Sequence, residues 1–155
     1  MILDSVYDLP VGVPLLGLDL GDKRLGIAIG DPTGSIASPL MTLRRSKFTR
    51  DAKQLQTLIS ERQIGGIVLG LPVNMNGSEG KRCQATRQFA RNLQTFSHWD
   101  TPIAFWDERL STAAVSRILI DQADMTRDRR RDVIDKMAAS FILQGAIDAR
   151  RLRQK

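Results

Sequence analysis

The run "LLGLDLGDKRLGIAIGD", Leu15 to Asp31, constrains the fold more than any other stretch of the chain. Two apolar segments, each too short for a stable helix, flank the turn-forming Gly-Asp-Lys-Arg, which predicts an antiparallel hairpin. One aspartate, Asp19, interrupts the first segment. An ionised carboxylate inside a sheet is costly unless something offsets its charge. Asp19 therefore has either a private basic partner or a chemical task.

Three β segments are predicted at the start: Pro14–Leu20, Leu25–Gly30 and Ile36–Leu43, joined by short connections. Helical spacing follows at Ala52, Leu55, Leu58 and Ile59. "IGGIVLGLP" reads as a buried strand ending at Pro72, and the loop "VNMNG" leads to Ser78 as a helix N-cap. The next helix carries Thr86, Phe89, Ala90, Leu93 and Phe96 on one face, and "PIAFWDE" is a strand. Ser111 or Thr112 caps a helix bearing Val115, Ile118 and Leu119, and a last helix runs from about Asp132 to Arg150. The order βββαβαβαα predicts an α/β fold, a mixed sheet with helices on both faces. In such sheets function gathers beyond the carboxyl ends of the parallel strands. Asp19, the Leu71-Pro72-Val73-Asn74 turn and Asp107-Glu108 all lie at such ends, which makes them expected neighbours.

A chain of 155 residues with 42% hydrophobic content fits one domain, residues 1–155, with residues 1–13 as an N-terminal extension and 150–155 as a basic tail. One cysteine, Cys83, and one histidine, His98, supply neither a disulfide nor a zinc site. The start "MILDSVYDLP" lacks the basic opening of a signal peptide, and no apolar run approaches a membrane span. A reducing, cytoplasmic compartment is the expectation. The net charge of +6 favours a polyanionic partner, nucleic acid first, with clusters at Arg127–Arg131 and Arg150–Lys155.

On a wheel of about 100° per residue, Lys136, Ser140, Gln144 and Asp148 share a polar side of the last helix. Ile134, Ala138, Phe141, Ile142, Gly145 and Ala146 share the apolar side, and Asp135 falls in its middle. Ala138, Ala139 and Ala146 let the helix approach the sheet closely, and Gly17, with the strand parity of Asp19, leaves room beneath. Two acids are thus out of pattern, and Glu108 closes a strand as a third. Private ion pairs would explain each one singly; a divalent-metal cluster explains them together. Ligands of oxygen alone select Mg²⁺ or Mn²⁺, and two such ions can hold the attacking water and leaving oxygen of a phosphodiester in line.

"GLDLGDKRLGIAIGD", "IVLGLPVNMNGSEGKR", "WDERLSTAAV" and "VIDKMAASFILQGAID", in this order, resemble the YqgF/RuvX family across Leu15 to Asp148. The resemblance implies an RNase H-like fold: five strands in order 3-2-1-4-5, strand 2 antiparallel, flanked by helices. It implies a cytoplasmic hydrolase of ester bonds, an endonuclease that matures the 5′ end of pre-16S rRNA in ribosome biogenesis, with Holliday-junction resolution as the older assignment. It implies Asp19, Glu108 and Asp135 as catalytic and metal-binding acids. Asp107 is the rival of Glu108, and Asn74 stands where junction resolvases carry their second acid.

Lys23 and Arg24, at the hairpin tip, are candidates to hold the scissile phosphate, or else a solvated turn. Asn74 and Asn76 are candidates to receive phosphate ahead of a helix, or else plain turn formers. Arg109 pairs with Asp107 or with substrate. Arg129, Arg130 and Arg131 oppose the dipole of the helix they begin, so a nucleic-acid backbone explains them better than helix stability. Trp99 and Trp106 read as core or interface, and Cys83 as core. Expected partners are pre-rRNA or branched DNA and ribosomal particles, with no membrane, for a monomer or a homodimer; a resolvase needs the two-fold dimer. Competing functions are a phosphotransferase, because the hairpin is also similar to that of actin-like ATPases, and a non-catalytic ribosome-assembly factor.

Overall fold

The computed structural model of the chain describes residues 1–110 and 126–153. Its strands are β1 (Leu15–Leu20), β2 (Arg24–Gly30), β3 (Ala37–Arg44), β4 (Gly66–Leu71) and β5 (Ile103–Asp107). Its helices are α1 (Phe48–Arg62), α2 (Lys81–Gln94) and α3 (Arg127–Arg153), with short 3₁₀ turns at Val6–Asp8 and Glu108–Leu110. The sheet order is β3-β2-β1-β4-β5. β2 runs antiparallel to β1 and β3, while β4 is parallel to both β1 and β5. This is the predicted RNase H-like order. The helix placed after Ser111 or Thr112 lies outside the described residues.

Every residue of β1 and β4 is buried, as central strands covered on both faces must be. Alternation divides the core. Leu16, Leu18, Ile67, Leu69 and Ile103 pack toward α1 and α2, with Leu55, Phe89 and Leu93. Leu15, Ala28, Val68 and Ala104 pack toward α3, with Ala139, Ile142, Leu143 and Ala146. Close approach depends on bare backbone. A Cβ on Gly17 would stand 2.7 Å from Leu143 Cβ and 2.9 Å from the Ala139 carbonyl oxygen, which is the space the sequence reserved there. On the edge strand the register shifts at Ile27/Ala28, opposite Pro39, which has no N–H to give the ladder.

Four expectations need correction. First, α3 starts at Arg127, not near Asp132, because Thr126 caps it: its hydroxyl accepts from Arg129 N at 3.4 Å and its carbonyl from Arg130 N at 2.9 Å. Second, Ser78 does not cap α2. Gly80 holds that position, and Ser78 is bound up in the preceding loop. Third, the polar stripe of α3 is not solvated throughout. Ser140 is buried, and Gln144 reaches the strand β3, accepting from Ala37 N at 2.8 Å and donating to Ser35 O at 3.1 Å. The edge of the sheet offers unpaired backbone groups, and an amide satisfies both kinds. Fourth, the basic tail is helical through Arg153, and Arg150 is buried. It donates to Leu9 O and Pro10 O at 3.0 and 2.9 Å, while Arg153 lies 4.2 Å over the Tyr7 ring.

Those contacts fasten residues 1–13 to the domain. Val6 and Leu9 are buried, and Ile2 bridges Ile103 in parallel, with Leu3 N donating to Ile103 O at 2.7 Å. The segment covers the outer edge of β5, which protects it from pairing with another chain. No described helix is long and apolar enough to cross a membrane.

Candidate functional site

Asp19 sits near the carboxyl end of β1, 4% exposed, opposite Gly26 of β2. Its strand parity with Gly17 directs it to the face that α3 covers. On the other side, the β1–β4 register runs to Leu18↔Leu69, so its next step sets Asp19 beside Gly70. Asp19 is thus flanked by two glycines, and each makes room for another acid. A Cβ on Gly26 would lie 2.0 Å from the Asp135 carbonyl oxygen and 2.4 Å from its carbonyl carbon. A Cβ on Gly70 would lie 2.9 Å from Glu108 Oε1 and 3.3 Å from Glu108 Cγ. Three elements distant in sequence therefore meet around Asp19: the Glu108 side chain over Gly70, and the α3 backbone at Asp135 over Gly26.

Asp107 is differently engaged. Its carboxylate accepts from Arg109 Nε at 3.1 and 3.0 Å, Arg109 Nη2 at 2.6 Å and Arg109 N at 2.9 Å. The guanidinium holds the Asp107 carboxyl below its ordinary range. Arg109 Nη1 also donates to Met75 O at 3.2 Å, tying the turn that carries Glu108 to the loop after β4. Of the two readings of Arg109, the geometry contains the pairing with Asp107.

Asn74 and Asn76 close their own loop. Asn74 Nδ2 donates to Ser78 Oγ at 3.0 Å, Asn76 Oδ1 accepts from Ser78 N at 3.0 Å, and Gly77, at φ 88°, donates to Asn74 O at 2.8 Å. This is turn chemistry. Arg24 is largely buried and donates from Nε to Asp132 Oδ1 at 3.2 Å, so it braces α3 against the hairpin. Lys23, Arg24, Arg131, Ile134 and Asp135 line a groove of about 330 Å³ beside the acids. Arg129 and Arg131 are exposed and Arg130 is half-buried on the first turns of α3.

Sequence reasoning missed three supports of this site. Asp132 anchors Arg24, its carbonyl accepts from Thr42 Oγ1 at 2.6 Å, and Arg45 Nη1 donates to Gly21 O at 2.6 Å at the hairpin tip. Only the position of Asp132, one turn before Asp135, was a usable signal. Trp99 and Cys83 are core as expected, and burial pushes the Cys83 thiol up.

The donor chemistry suits a hard divalent cation: three carboxylates, no nitrogen or sulfur, and glycine backbone on both flanks of Asp19. Among the described residues, no three His, Cys, Asp or Glu side chains close around one point. The acids share a face but do not form a finished cage.

Comparison with known proteins gives the family and the fold. A relative in Phenylobacterium zucineum is 59% identical over 147 residues, covering 95% of this chain and 94% of its own, and bears the name "Putative pre-16S rRNA nuclease". A relative of the same name in Rhodospirillum rubrum is 56% identical over 141 residues, covering 91% of this chain and 86% of its own. Thermus thermophilus RuvC, solved in complex with a Holliday junction substrate, superposes with a TM-score of 0.56 at 11% identity, over 90% of this chain and 96% of that one. That likeness shows the fold alone. The model of the RuvX family, described as Holliday junction resolvase, matches residues 13–149, and the chain belongs to that family.

Proposed function

We propose that this protein is a metal-dependent nuclease that hydrolyses phosphodiester bonds of nucleic acid and matures the 5′ end of pre-16S rRNA in the cytoplasm. The observation that supports the reading is the seating of the Glu108 side chain and of α3 at Asp135 on the two glycines that flank buried Asp19. The names of the relatives support the substrate.

In this reading the three carboxylates hold Mg²⁺ or Mn²⁺. Held there, such an ion would supply Lewis acidity for phosphodiester hydrolysis. Asp19, fixed in a central strand, is the rigid member. Glu108 and Asp135 come from a turn and a helix that must close on it. Lys23 and Arg131 line the adjoining groove, where they hold the nucleic-acid backbone, and Arg129 and Arg130 extend that cationic track along α3. Arg24 keeps α3 in register with the hairpin. Asn74, Asn76 and Arg109 keep the neighbouring loop in shape, and their nucleic-acid contacts are secondary to that.

A second reading, cleavage of branched DNA by a two-fold dimer, is favoured by the family description. One experiment separates the two. Wild type and Asp19→Asn are compared on a labelled pre-rRNA 5′ leader and a four-way DNA junction, with Mn²⁺ and then with EDTA. Cleavage of the leader by wild type alone, and only with metal, is the expected result. Preference for the junction selects the second reading, and binding by both proteins without cutting overturns the nuclease assignment.

A further inference from the structure

A large groove lies on the face of the sheet opposite the acids, the α1 and α2 face. It has a volume of about 710 Å³ and runs between α1 and the edge strand β3, over a floor of Ile27, Met41, Leu43, Leu55 and Leu58. Its origin is geometric. A helix is roughly 10 Å wide and strands are spaced about 4.8 Å apart, so two helices do not cover five strands. Phe48 draws the start of α1 toward α2, with ring centroids 5.9 Å from Phe89 and 6.0 Å from Phe96 in edge contact. Among the described residues, the strand left open on this face is therefore β3, where Met41 remains 40% exposed beside buried Leu43.

The rim of this groove is cationic at one end. Lys47, Arg50 and Lys53 line it along the first half of α1, and Glu61 stands in the last turn. Among the described residues no carboxylate pairs with any of the three cations. Cations there oppose the α1 dipole, so helix stability does not account for them. The positive end of the dipole adds to their field.

We infer that this groove docks an acidic amphipathic helix of a partner protein. The bound helix lays an apolar face on Met41, Leu43 and Leu58 and directs carboxylates at Lys47, Arg50 and Lys53. Helix-in-groove recognition uses this combination of apolar anchors and charged flanks. The floor argues against nucleic acid, because phosphates gain nothing from Leu, Ile and Met. The rim argues against a second copy of this chain, whose net charge of +6 would meet like charge. The asymmetry between Lys47–Lys53 and Glu61 fixes the direction of the bound helix.

The test uses the full chain and a fluorescein-labelled synthetic helix of about four turns, with Leu at i, i+3, i+4 and i+7 and Glu on the flanks of one half. Fluorescence anisotropy is expected to show saturable binding that weakens at least about tenfold in Arg50→Glu. A peptide with Lys in place of Glu is expected to recover binding to the Arg50→Glu, Lys53→Glu double variant. Both positions are exposed, so an unchanged circular dichroism melt checks that the variants fold. Peptide-induced amide shifts are expected at Met41, Leu43, Lys53 and Leu58. Absence of saturable binding, equal binding of a scrambled peptide, or shifts elsewhere overturns the inference. So does displacement of the peptide by single-stranded RNA, or a concentration-dependent dimer that Met41→Glu abolishes.

Discussion

Replacing Gly26 by alanine tests how the site is assembled. The new Cβ would stand 2.0 Å from the Asp135 carbonyl oxygen, 2.4 Å from its carbonyl carbon and 3.1 Å from Lys136 N. Carbon–oxygen contacts settle at about 3.3 Å, so α3 must retreat by roughly 1.3 Å at Asp135. The clashing atoms are helix backbone, and no rotamer change relieves them. Overpacking costs about 1–3 kcal/mol, and the rigidity of both partners places this variant near the upper end. For a domain of this size, about 3 kcal/mol lowers Tm by roughly 6–12 °C. A displacement of about 1 Å at a reacting group costs on the order of a hundredfold in rate. Thermal circular dichroism and Mn²⁺-dependent cleavage of the rRNA leader measure the two effects separately. Gly34→Ala is the control, because Gly34 has φ 70° and open space around its Cβ position. It tests the cost of an unfavourable backbone angle, about 1 kcal/mol, with no steric contact. A Gly26→Ala protein that melts and cuts like wild type would refute the close seating of α3 on β2 and the geometry built on it.

Gly70→Ala should separate activity from stability. Its Cβ meets Ile142 Cδ1 at 2.5 Å and Glu108 Oε1 at 2.9 Å, both ends of flexible side chains, so Glu108 is displaced and Tm falls less than in Gly26→Ala while cleavage drops comparably. Asp31 caps the turn after β2, accepting from Ile36 N at 2.8 Å and Ser35 N at 2.9 Å, and these bonds lower its pKa from 3.8 to about 2. Because the folded pKa is depressed, its contribution is present above about pH 3.8 and lost as pH falls through about 2, so the Ser35 and Ile36 amide resonances should titrate with a midpoint near 2. Arg150→Ala leaves the Leu9 and Pro10 carbonyls without their donor, which should cost about 1–3 kcal/mol and speed hydrogen exchange and proteolysis in residues 1–13.

Much of the fold was legible because its determinants are local. The hairpin shows in the sequence as two short apolar segments around Gly-Asp-Lys-Arg, and the parallel strands as unbroken apolar runs. Asp19 and Asp135 stand out because each breaks an apolar pattern. The misread features depend on what lies across space. Thr126 rather than a residue nearer Asp132 begins α3. Gln144 belongs to a polar stripe on a wheel and Arg150 to a basic tail, yet each finds backbone carbonyls or amides of a distant segment and is drawn inward. A helical wheel records spacing, not what each face will meet.

The sequence by itself determined the order of the described strands and helices and the two acids that break an apolar pattern, because these are properties of neighbouring residues and of periodicity. Its four motifs carried the family resemblance, and the resemblance carried the sheet order. The tertiary structure alone decided which way each acid at the strand ends turns. Asp107 and Glu108 are adjacent in the chain, but one is turned to Arg109 and the other lies over Gly70. It also decided that Gly26 and Gly70 seat α3 at Asp135 and the Glu108 side chain, and that Arg24 serves α3 through Asp132. A side chain's direction at a strand end, and the closeness of two backbones, follow from packing between segments far apart in sequence.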